Sequence, residues 1–365
     1  MTLKQSPLGE RHKALGAKMA DFGGWEMPIE YPGGGVLAEH DAVRNRVGIF
    51  DVSHLGKISI KGPAAKDYIN SVLTNDLDLI KDGEAQYNLL CNEQGGVVDD
   101  IIAYRNSADD IFLVPNAANC SKVFEILVKG APADLKIINQ HQDYGVIAVQ
   151  GPKSKSLLES VGIDFGGKSG IDYMSFTHGQ IDGCAVIVCR TGYSGEHGYE
   201  LLPKWSEAGK VWDAITSKLG DGLICGLGAR DTLRTEMGYP LHGQELSESI
   251  TGTVGGAKWA IAFHKPHFHG EKALRAENEA GAPRRLRGIK LLDRGIPRGH
   301  MSIMADGQVI GETTSGTFSP TLKVGIALGL VDSKYKIGDK VSIDVRGRQL
   351  AGEIVKIPMV EPHVK

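Results

Sequence analysis

Short apolar runs and amphipathic segments alternate along the first 280 residues. In VGIFDVSHLGKISIKGP (47–63), two apolar runs flank a polar turn, which predicts a strand, a turn and a strand. PAAKDYINSVLTNDL (63–77) has a proline near its start and apolar residues at helical spacing, which predicts a helix. AQYNLLCN and GVVDDIIAYR predict two paired strands joined through Glu93–Gly96, DIFLVPN a further strand, and AANCSKVFEILVKGA an amphipathic helix. This mixture favours an α+β layer with antiparallel pairing.

One combination of elements occurs twice along the chain. GKISIKGPAAKDYINSVL and GVIAVQGPKSKSLLESVG each read as a strand, a Gly-Pro pair and a helix. The repetition hints at two similar modules within the first 280 residues.

The hydrophobic pattern changes near Gly281–Arg287. Beyond it, helical periodicity nearly disappears, and LRGIKLL, KVGIALGLV and KVSIDVRGRQLAGEIVKI are short alternating runs separated by glycine and aspartate turns. We therefore expect a small all-β barrel or sandwich at the C-terminal end, with a domain boundary near Pro283. The basic cluster PRRLRG (Pro283–Gly288) at this boundary is interpreted as a solvated linker.

Composition excludes several classes of function. The 365 residues contain 41 Lys and Arg against 44 Asp and Glu, a net charge of −3, which does not indicate a nucleic-acid-binding face. Five cysteines without a CxxC pair argue against zinc and predict reduced, mostly buried thiols in a cytoplasmic protein. The N-terminal segment lacks the apolar core of a secretory signal, and no apolar run approaches the ~20 residues of a membrane helix. We expect no nucleic-acid or membrane partner and no bound metal.

Candidate chemistry begins at NEQGGVVDDIIAY (92–104), where Asp99 and Asp100 stand between β-branched residues. Successive strand residues point to opposite faces, so the two carboxylates cannot both reach solvent if one sheet face is covered. In one interpretation both cap local amides beside the Gly-Gly turn. In the other, one carboxylate is held against a substrate nitrogen, where it can accept a strong hydrogen bond.

Two glycine-containing stretches add possible binding residues. RTGYSGEHGYE (190–200) is neither a serine-hydrolase elbow nor a phosphate loop, and its tyrosines and glutamates suit a flat, nitrogen-rich ligand or a plain turn. GLGARDTLRTEMGYPLHGQEL (226–246) places Arg230 and Arg234 four residues apart, on one helix face. Such arginines belong to a surface salt-bridge ladder with Asp231 and Glu236, or bind an anionic group.

The histidine-rich run FHKPHFHGEKAL (263–274) raises the question of a metal site. No accompanying carboxylate set has the spacing of a metal motif, and the segment reads as a turn leading into a helix. A metal is therefore not expected here.

Taken in order, six motifs resemble one family, the aminomethyltransferase or T-protein of the glycine cleavage system. They are SPLGERHKALGAKMADFGGWEMPIEY, GIFDVSHLG, NEQGGVVDDIIAY, CRTGYSGEHGYEL, GLGARDTLRTEMG and TSGTFSPTLKVGIALGLV. The resemblance covers nearly the whole chain, and six motifs in the family's order are far more specific than any one of them.

The resemblance implies an α+β fold with a three-domain, cloverleaf-like arrangement around a folate channel. Residues 1–280 would form the folate-binding catalytic region as two intertwined α+β domains, and residues 284–361 the C-terminal β-barrel. It also implies that tetrahydrofolate is the co-substrate and that the lipoylated H-protein is the partner that delivers the aminomethyl group. Ammonia and 5,10-methylenetetrahydrofolate would be the products.

Residue roles are implied by the same resemblance. Asp100 matches the catalytic carboxylate beside the reacting folate nitrogens, which leaves Asp99 as a structural residue on the other strand face. The remaining matched positions are expected to line, stack on or hydrogen-bond the folate: Tyr87, Asn116, Tyr173, Tyr193, Glu200, Arg230 and, as a stacking candidate, Trp259.

The chain departs from the family pattern at three places. His197 stands where Gly-Glu-Asp-Gly usually has its aspartate, and Thr235 alters the usual Leu-Arg-Leu-Glu. The terminal stretch contains Met359-Val360-Glu361 instead of the usual aromatic and basic residues, so no C-terminal folate ligand is assigned.

Two other functions remain open from the sequence. One is a folate-dependent demethylase acting on a sulfonium or methylamine substrate. The other is a non-catalytic folate-binding accessory protein, although the Lys-Gly-Cys-Tyr-x-Gly-Gln motif of such relatives does not occur in this chain.

Overall fold

The computed structural model describes residues 2–166 and 170–365. The helices are α1 (Gly9–Ala14), α2 (Gly35–Asn45), α3 (Ala65–Val72), α4 (Cys120–Gly130), α5 (Ser154–Ser160), α6 (Ala208–Thr216), α7 (Leu227–Met237) and α8 (Glu271–Ala280). The strands of the first part are β1 (Lys4–Gln5), β2 (Lys18–Phe22), β3 (Trp25–Glu30), β4 (Gly48–Asp51), β5 (Ile58–Lys61), β6 (Glu84–Cys91), β7 (Val97–Ser107), β8 (Asp110–Val114), β9 (Lys136–Asn139), β10 (Ile147–Gln150), β11 (Phe176–Ile181), β12 (Cys184–Cys189), β13 (Gly198–Pro203) and β14 (Leu223–Cys225). The last six strands are β15 (Arg284–Leu291), β16 (Ser302–Ala305), β17 (Gln308–Ser319), β18 (Val324–Asp332), β19 (Lys340–Val345) and β20 (Arg348–Val355). Short 3-10 helices lie at Leu77–Leu79, Trp205–Glu207 and Lys258–Ala260.

The α+β expectation is confirmed by two main sheets that share the first 280 residues. One has the strand order β11-β12-β13-β10-β4-β14, and the other has the order β6-β7-β8-β5-β9. The strands predicted on either side of 52–57 both form, but β4 joins the first sheet and β5 the second. The segment between them is therefore a crossover between two sheets.

The repeated strand–helix combination is present at both predicted positions. β5 is followed by α3 and β10 by α5, and the two pairs belong to different sheets. Helices α3 and α4 cover the β6-β7-β8-β5-β9 sheet through a buried apolar cluster that includes Ile69, Ile101 and Val123. The repeat in the sequence thus corresponds to two separate sheet-and-helix layers.

The predicted hairpin of β6 and β7 is confirmed. The strands pair antiparallel, with Tyr87 opposite Ile102 and Leu89 opposite Asp100. The register shifts next to the turn, between Leu90 and Cys91, as expected for a bulge that absorbs an extra residue. This hairpin carries both aspartates at its turn end.

The C-terminal barrel is also confirmed. Its six strands close in the order β15-β18-β17-β16-β19-β20, around buried side chains such as Ile289 and Ile343. The linker interpretation of PRRLRG is wrong, because Arg284 already begins the first barrel strand. Arg284 and Arg285 are exposed while Leu286 is buried against Val254 of the preceding region. The outward-facing arginines made a strand resemble a solvated loop.

Helix α7 joins the barrel to the rest of the chain through buried charges. Glu236, fully buried, accepts hydrogen bonds from Arg44 of α2 (Nη2–Oε2, 2.7 Å) and from Thr321 of the β17–β18 turn (3.0 Å). Arg234 donates to Glu245 (2.9 Å) and to Ser315 of β17 (2.7 Å). Three parts of the fold therefore meet at one helix.

The expected surface salt-bridge ladder on this helix is wrong in part. Arg234 does contact Asp231, three residues earlier (2.7 Å), but its side chain is only 3% exposed. Glu236 pairs with α2 and the barrel, not with Arg234. Helix periodicity predicts which residues share a face, but not that the barrel covers that face.

Two global features bear on the composition-based expectations. No helix in 2–166 or 170–365 is long and apolar enough to cross a membrane. Each of the five cysteines is a buried free thiol.

The Glu236 junction predicts a specific loss of stability in acid. Burial by itself raises the pKa of Glu236, but the hydrogen bond and charge of His40 and the charge of Arg44 lower it to about 2. The stability that ionised Glu236 contributes is complete above the ordinary pKa of about 4.5, and it is lost as the pH falls through that value toward 2. Glu236→Gln should cost about 3 kcal/mol at pH 7, because it removes the charge from a buried ion pair with Arg44.

Urea unfolding between pH 7 and pH 3 measures this effect. The stability difference between wild type and Glu236→Gln should shrink as the pH falls. Glu353→Gln, which removes an exposed pair with Lys340, should cost less than about 1 kcal/mol at every pH. A Glu236→Gln difference that stayed constant with pH would refute the role of the charge.

Candidate active site

The two aspartates lie on opposite faces of β7, as strand alternation predicts. Asp99 shares its face with Ile101 and Ala103, which pack under α3 and α4. Asp100 shares the other face with Ile102 and Tyr104, which pack against the neighbouring apolar cluster. The two carboxylates therefore enter different environments although they are adjacent in sequence.

Asp99 is fully buried and anchors the loop before α4. Its Oδ2 accepts the backbone N–H of Asn116 (2.9 Å), and its Oδ1 accepts the side-chain amides of Asn116 (2.9 Å) and Asn119 (2.7 Å). Burial and the charge of Asp100 raise the pKa of Asp99 well above that of an ordinary aspartate, while these three N–H donors act in the opposite direction. Asp99 thus holds a loop in place and has no exposed atom for a ligand.

Asp100 is partly exposed and is held by two polar side chains. Its Oδ2 accepts the hydroxyl of Tyr87 (3.0 Å), and its Oδ1 accepts the amide of Asn116 (2.8 Å). Burial raises the pKa of Asp100 above that of an ordinary aspartate. The Asn116 amide touches both carboxylates, so the loop anchored by Asp99 also fixes the orientation of Asp100.

Trp259 lies against Tyr87. Their rings stack with centroids 5.2 Å apart and an interplanar angle of 28°, and Trp259 is 69% exposed. Trp259 therefore covers one face of the tyrosine that orients Asp100. It forms an outer aromatic wall beside the acid.

A second group of predicted residues surrounds Arg230 on α7. The guanidinium carbon lies 4.8 Å from the ring centroid of Tyr193, and the Tyr193 hydroxyl donates to the Pro240 carbonyl. Among the described residues, no side chain or carbonyl accepts a hydrogen bond from the Arg230 guanidinium, so its donors are free. Burial raises the pKa of Tyr193. The charge of Asp100 raises it further, and the charge of Arg234 lowers it. The charge of Asp100 therefore reaches Tyr193, the residue whose ring lies against the Arg230 guanidinium.

Glu200 on β13 belongs to the same group. Its Oε2 accepts the hydroxyl of Thr191 (2.6 Å), and its charge partly offsets the lowering of the Arg230 pKa by burial. Tyr173 lies farther out, 36% exposed, with the Arg190 guanidinium 5.9 Å from its ring centroid. The structure thus brings the predicted residues into two neighbouring groups, with Trp259 and Tyr173 at their outer sides.

Several polar residues of these groups were missed in the sequence. His242 lies behind Asp99. Its Nδ1 atom is 3.0 Å from the side-chain amide of Asn119, and its Nε2 atom is 3.0 Å from the Val97 carbonyl. Asn119 precedes α4 at a helix-capping position, a signal that could have identified it. No local pattern could have identified His242, because its partner Val97 is 145 residues away.

His54 of the FDVSH motif was named as part of a motif but given no role. Its imidazole is 3% exposed, and burial lowers its pKa to about 3, with a contribution from the charge of Arg230. His54 is therefore a neutral, buried neighbour of Arg230.

The other histidines do not converge. His264 contacts Asp76 (2.7 Å), and His267 contacts Glu271 (3.3 Å), so these two engage separate carboxylates. His197, at the position of the family's acid, contacts the Ser154 hydroxyl (2.9 Å), and burial lowers its pKa to about 4. It is neutral at pH 7, so the negative charge usual at this position is absent here.

Two surface grooves lie elsewhere on the described residues. One of about 500 Å³ runs between α2 and the β17–β18 turn, and one of about 850 Å³ lies behind the β6–β7 turn beside α8. Neither groove is lined by Asp100 or Arg230. The candidate site is therefore defined by its side-chain contacts and not by groove size.

Comparisons with known proteins cover both parts of the chain. The family described as GCVT N-terminal domain matches residues 8–265, and the family described as Glycine cleavage T-protein C-terminal barrel domain matches residues 284–361. An aminomethyltransferase of Parafrankia sp. (strain EAN1pec) is 54% identical over 98% of each chain, and one of Mycobacterium avium is 51% identical over 98% of this chain and 97% of the relative. The crystal structure of glycine cleavage system aminomethyltransferase T from Bartonella henselae superposes with a TM-score of 0.92, at 32% identity, over 99% of each chain.

The contacts of Asp99 predict a graded loss of stability. Asp99→Ala removes the acceptor of three buried N–H groups and should lower the free energy of unfolding by about 1–3 kcal/mol. Asp99→Asn keeps one acceptor oxygen and should lose less. Urea unfolding at pH 8 measures both variants, with Asp109→Ala at an exposed position as the control. An Asp99→Ala variant as stable as wild type would show that the loop does not depend on this carboxylate.

Proposed function

The chain belongs to the glycine cleavage T-protein family, as its six motifs predicted, and we propose that it moves an aminomethyl group from the lipoyl arm of the H-protein to tetrahydrofolate. Members of this family are tetrahydrofolate-dependent aminomethyltransferases. In the proposed reaction the carbon–nitrogen bond to the departing ammonia and the carbon–sulfur bond to the lipoyl arm break, while two folate nitrogens bond the carbon and give 5,10-methylenetetrahydrofolate. The two protons that these nitrogens lose end on the ammonia and on the lipoyl sulfur, so the lipoyl group leaves in its reduced form. The observation that carries the proposal is Asp100, a partly exposed carboxylate that Tyr87 and Asn116 hold in one orientation.

Free hydrogen-bonding atoms near Asp100 fit a folate. Arg230 has uncommitted N–H donors, and only the Oε2 atom of Glu200 has a side-chain partner among the described residues. A pterin presents a carbonyl acceptor and adjacent N–H donors on one edge, which a guanidinium and a carboxylate complement. Arg230 and Glu200 would hold this edge, and the ring of Tyr193 would stack on the pterin face.

Asp100 would act as the general base. Folate supplies the nucleophilic nitrogens, and an Oδ atom of Asp100 would take up the proton that the attacking nitrogen loses as its new bond to carbon forms. A carboxylate with a raised pKa is a better base near neutral pH than an ordinary aspartate. The hydroxyl of Tyr87 and the amide of Asn116, each bonded to one carboxylate oxygen, would hold the carboxylate in place.

Outer aromatic residues would enclose the reacting group. Trp259 stacks on Tyr87, and Tyr173 lies beside Arg190 on the other side of the site. Together they would limit the access of water to the activated one-carbon unit. Asn116 would contact the folate only through its side-chain oxygen, because its backbone N–H and its amide N–H groups are committed to Asp99 and Asp100.

The remaining features of the proposal concern organisation and place of action. We propose that residues 1–280 form the catalytic region as two intertwined domains, which its two main sheets support, and that residues 284–361 form a separate barrel domain, which a separate family match supports. Action in the cytoplasm is supported by five buried free thiols, which suit a reducing compartment.

Transfer assays test the proposed function directly. Ammonia release and methylenetetrahydrofolate formation should both require aminomethyl-lipoyl H-protein and tetrahydrofolate together. Asp100→Asn should lower single-turnover transfer about 10²–10⁴-fold, because it removes a general base, while tetrahydrofolate binding weakens by only a few-fold. The wild-type rate should rise with pH through a pKa above the ordinary aspartate value.

Two outcomes would contradict this assignment. Efficient demethylation of a small sulfonium or methylamine compound without the carrier would favour the demethylase alternative. Normal transfer by Asp100→Asn, with Asp109→Asn as the matched control, would remove Asp100 from the chemistry.

The predicted pterin contacts should affect affinity and not the chemical step. Glu200→Gln removes a charged acceptor and should weaken tetrahydrofolate binding about ten- to a hundredfold, measured by calorimetry. Thermal melting should stay close to wild type, because the Thr191 hydroxyl can still donate to the amide oxygen. Unchanged affinity would mean that Glu200 does not face the ligand.

A further inference from the structure

The loop between β12 and β13 carries Tyr193 and leads directly to Glu200. It is held from beneath by Gln150 of β10, whose Nε2 donates to the Thr191 carbonyl (3.2 Å) and whose Oε1 accepts the Ser194 hydroxyl (2.6 Å). From one side, Arg44 of α2 donates to the Ser194 carbonyl (2.7 Å). The loop is therefore fixed from two directions by residues that lie outside the predicted folate contacts.

The C-terminal segment Ile357–Lys365 fixes the same loop from a third direction. The backbone N–H of His363 donates to the Gly195 carbonyl (2.7 Å), and the N–H of Met359 donates to the Glu236 carbonyl (2.8 Å). Ile357 packs so closely on Gly238, where φ is +69°, that a Cβ there would lie 1.8 Å from its Cγ2. The segment runs from the barrel across the end of α7 and onto the loop.

Arg190 connects this C-terminal segment to the loop and to Tyr173. Its side chain is 4% exposed, with Nη2 donating to the Val364 carbonyl (2.6 Å) and Nη1 to the Gly198 carbonyl (3.2 Å). Its backbone pairs with residues 174–175 through the Ser175 carbonyl (2.8 Å), next to Tyr173. The guanidinium thus links the start of β13 to the C-terminal segment, and the backbone of the same residue pairs with the segment next to Tyr173.

We infer that Arg190 is a positioning residue for tetrahydrofolate: by binding the carbonyls of Val364 and Gly198, it sets the placement of the Tyr193–Glu200 loop and of Tyr173. The inference rests on the proposed function and extends it to a residue that does not touch the ligand. It also gives the C-terminal segment a role through its backbone, which does not require the aromatic and basic side chains usual in the family.

The geometry of the arginine side chain explains why this position requires a planar guanidinium group. Two carbonyls in different segments are reached by two separate nitrogens of one rigid group, which a single ammonium cannot reproduce. Asp100 belongs to the other sheet and is oriented by Asn116, so loss of Arg190 leaves the acid in place. A defect at Arg190 should therefore appear in folate binding and not in the chemical step.

Steady-state kinetics of Arg190→Gln and Arg190→Lys test the inference. Both should raise the KM for tetrahydrofolate about tenfold with kcat within twofold of wild type, and the calorimetric Kd should rise in parallel. Arg287→Gln is the matched control, since Arg287 also donates to a carbonyl, that of Tyr335, but on the barrel. A wild-type KM and Kd in a folded Arg190→Gln would overturn the inference, as would a fall in kcat alone.

A second pair of variants decides the matter if Arg190→Gln fails to fold. His363→Pro removes the N–H that binds Gly195 together with the imidazole, whereas His363→Ala removes only the imidazole, which is 64% exposed and lies 3.3 Å from Glu196. The Kd for tetrahydrofolate should rise several-fold in His363→Pro and stay unchanged in His363→Ala; equal values in both would overturn the inference. Failure of the wild type to bind tetrahydrofolate would overturn the proposed function as well, whereas wild-type binding with unaffected variants would overturn this inference alone.

Discussion

The charges buried on α7 are the constraint on which the arrangement of the chain depends. A buried charge without a partner costs several kcal/mol. Glu236 and Arg234 therefore require α2, the segment that carries Glu245 and the barrel all to pack against α7. A single misplaced segment would remove at least one buried hydrogen bond from these charges. The helix therefore fixes the relative positions of its neighbours while it presents Arg230, one turn earlier, with free donors.

The two aspartates also divide into a residue that stabilises the fold and a residue that stays available to a ligand. Asp99 satisfies three N–H groups inside the protein, and Asp100, one residue later, keeps a partly exposed carboxylate. The link between them is the amide of Asn116, which contacts both. Strand geometry alone separates the two acids, and one loop residue couples the buried acid to the exposed one.

Departures from the family pattern acquire a physical meaning in this structure. His197 replaces an acid, and as a neutral imidazole it contacts Ser154 without bringing a charge to the loop that carries Tyr193. The C-terminal segment reaches that loop through the backbone N–H of His363 and the backbone carbonyl of Val364, and the exposed His363 imidazole adds a contact with Glu196 (3.3 Å). Backbone contacts tolerate a change of side chain, so this segment can vary in sequence and keep its position.

Local patterns were sufficient for the α+β class, the β6–β7 hairpin, helix α4, the barrel and the opposite faces of Asp99 and Asp100. Each of these follows from periodicity or turn chemistry among residues close in the chain. The resemblance to the family named the candidate site residues, and their roles remain predictions.

The sequence did not reveal that β4 and β5 enter different sheets, that Arg234 is buried, that the arginines at 284–285 begin a strand, or that Trp259 stacks on Tyr87. His242 meets Val97 across 145 residues, and Arg190 meets Val364 across 174. Such contacts depend on how whole layers pack, and no pattern within a short window records that packing.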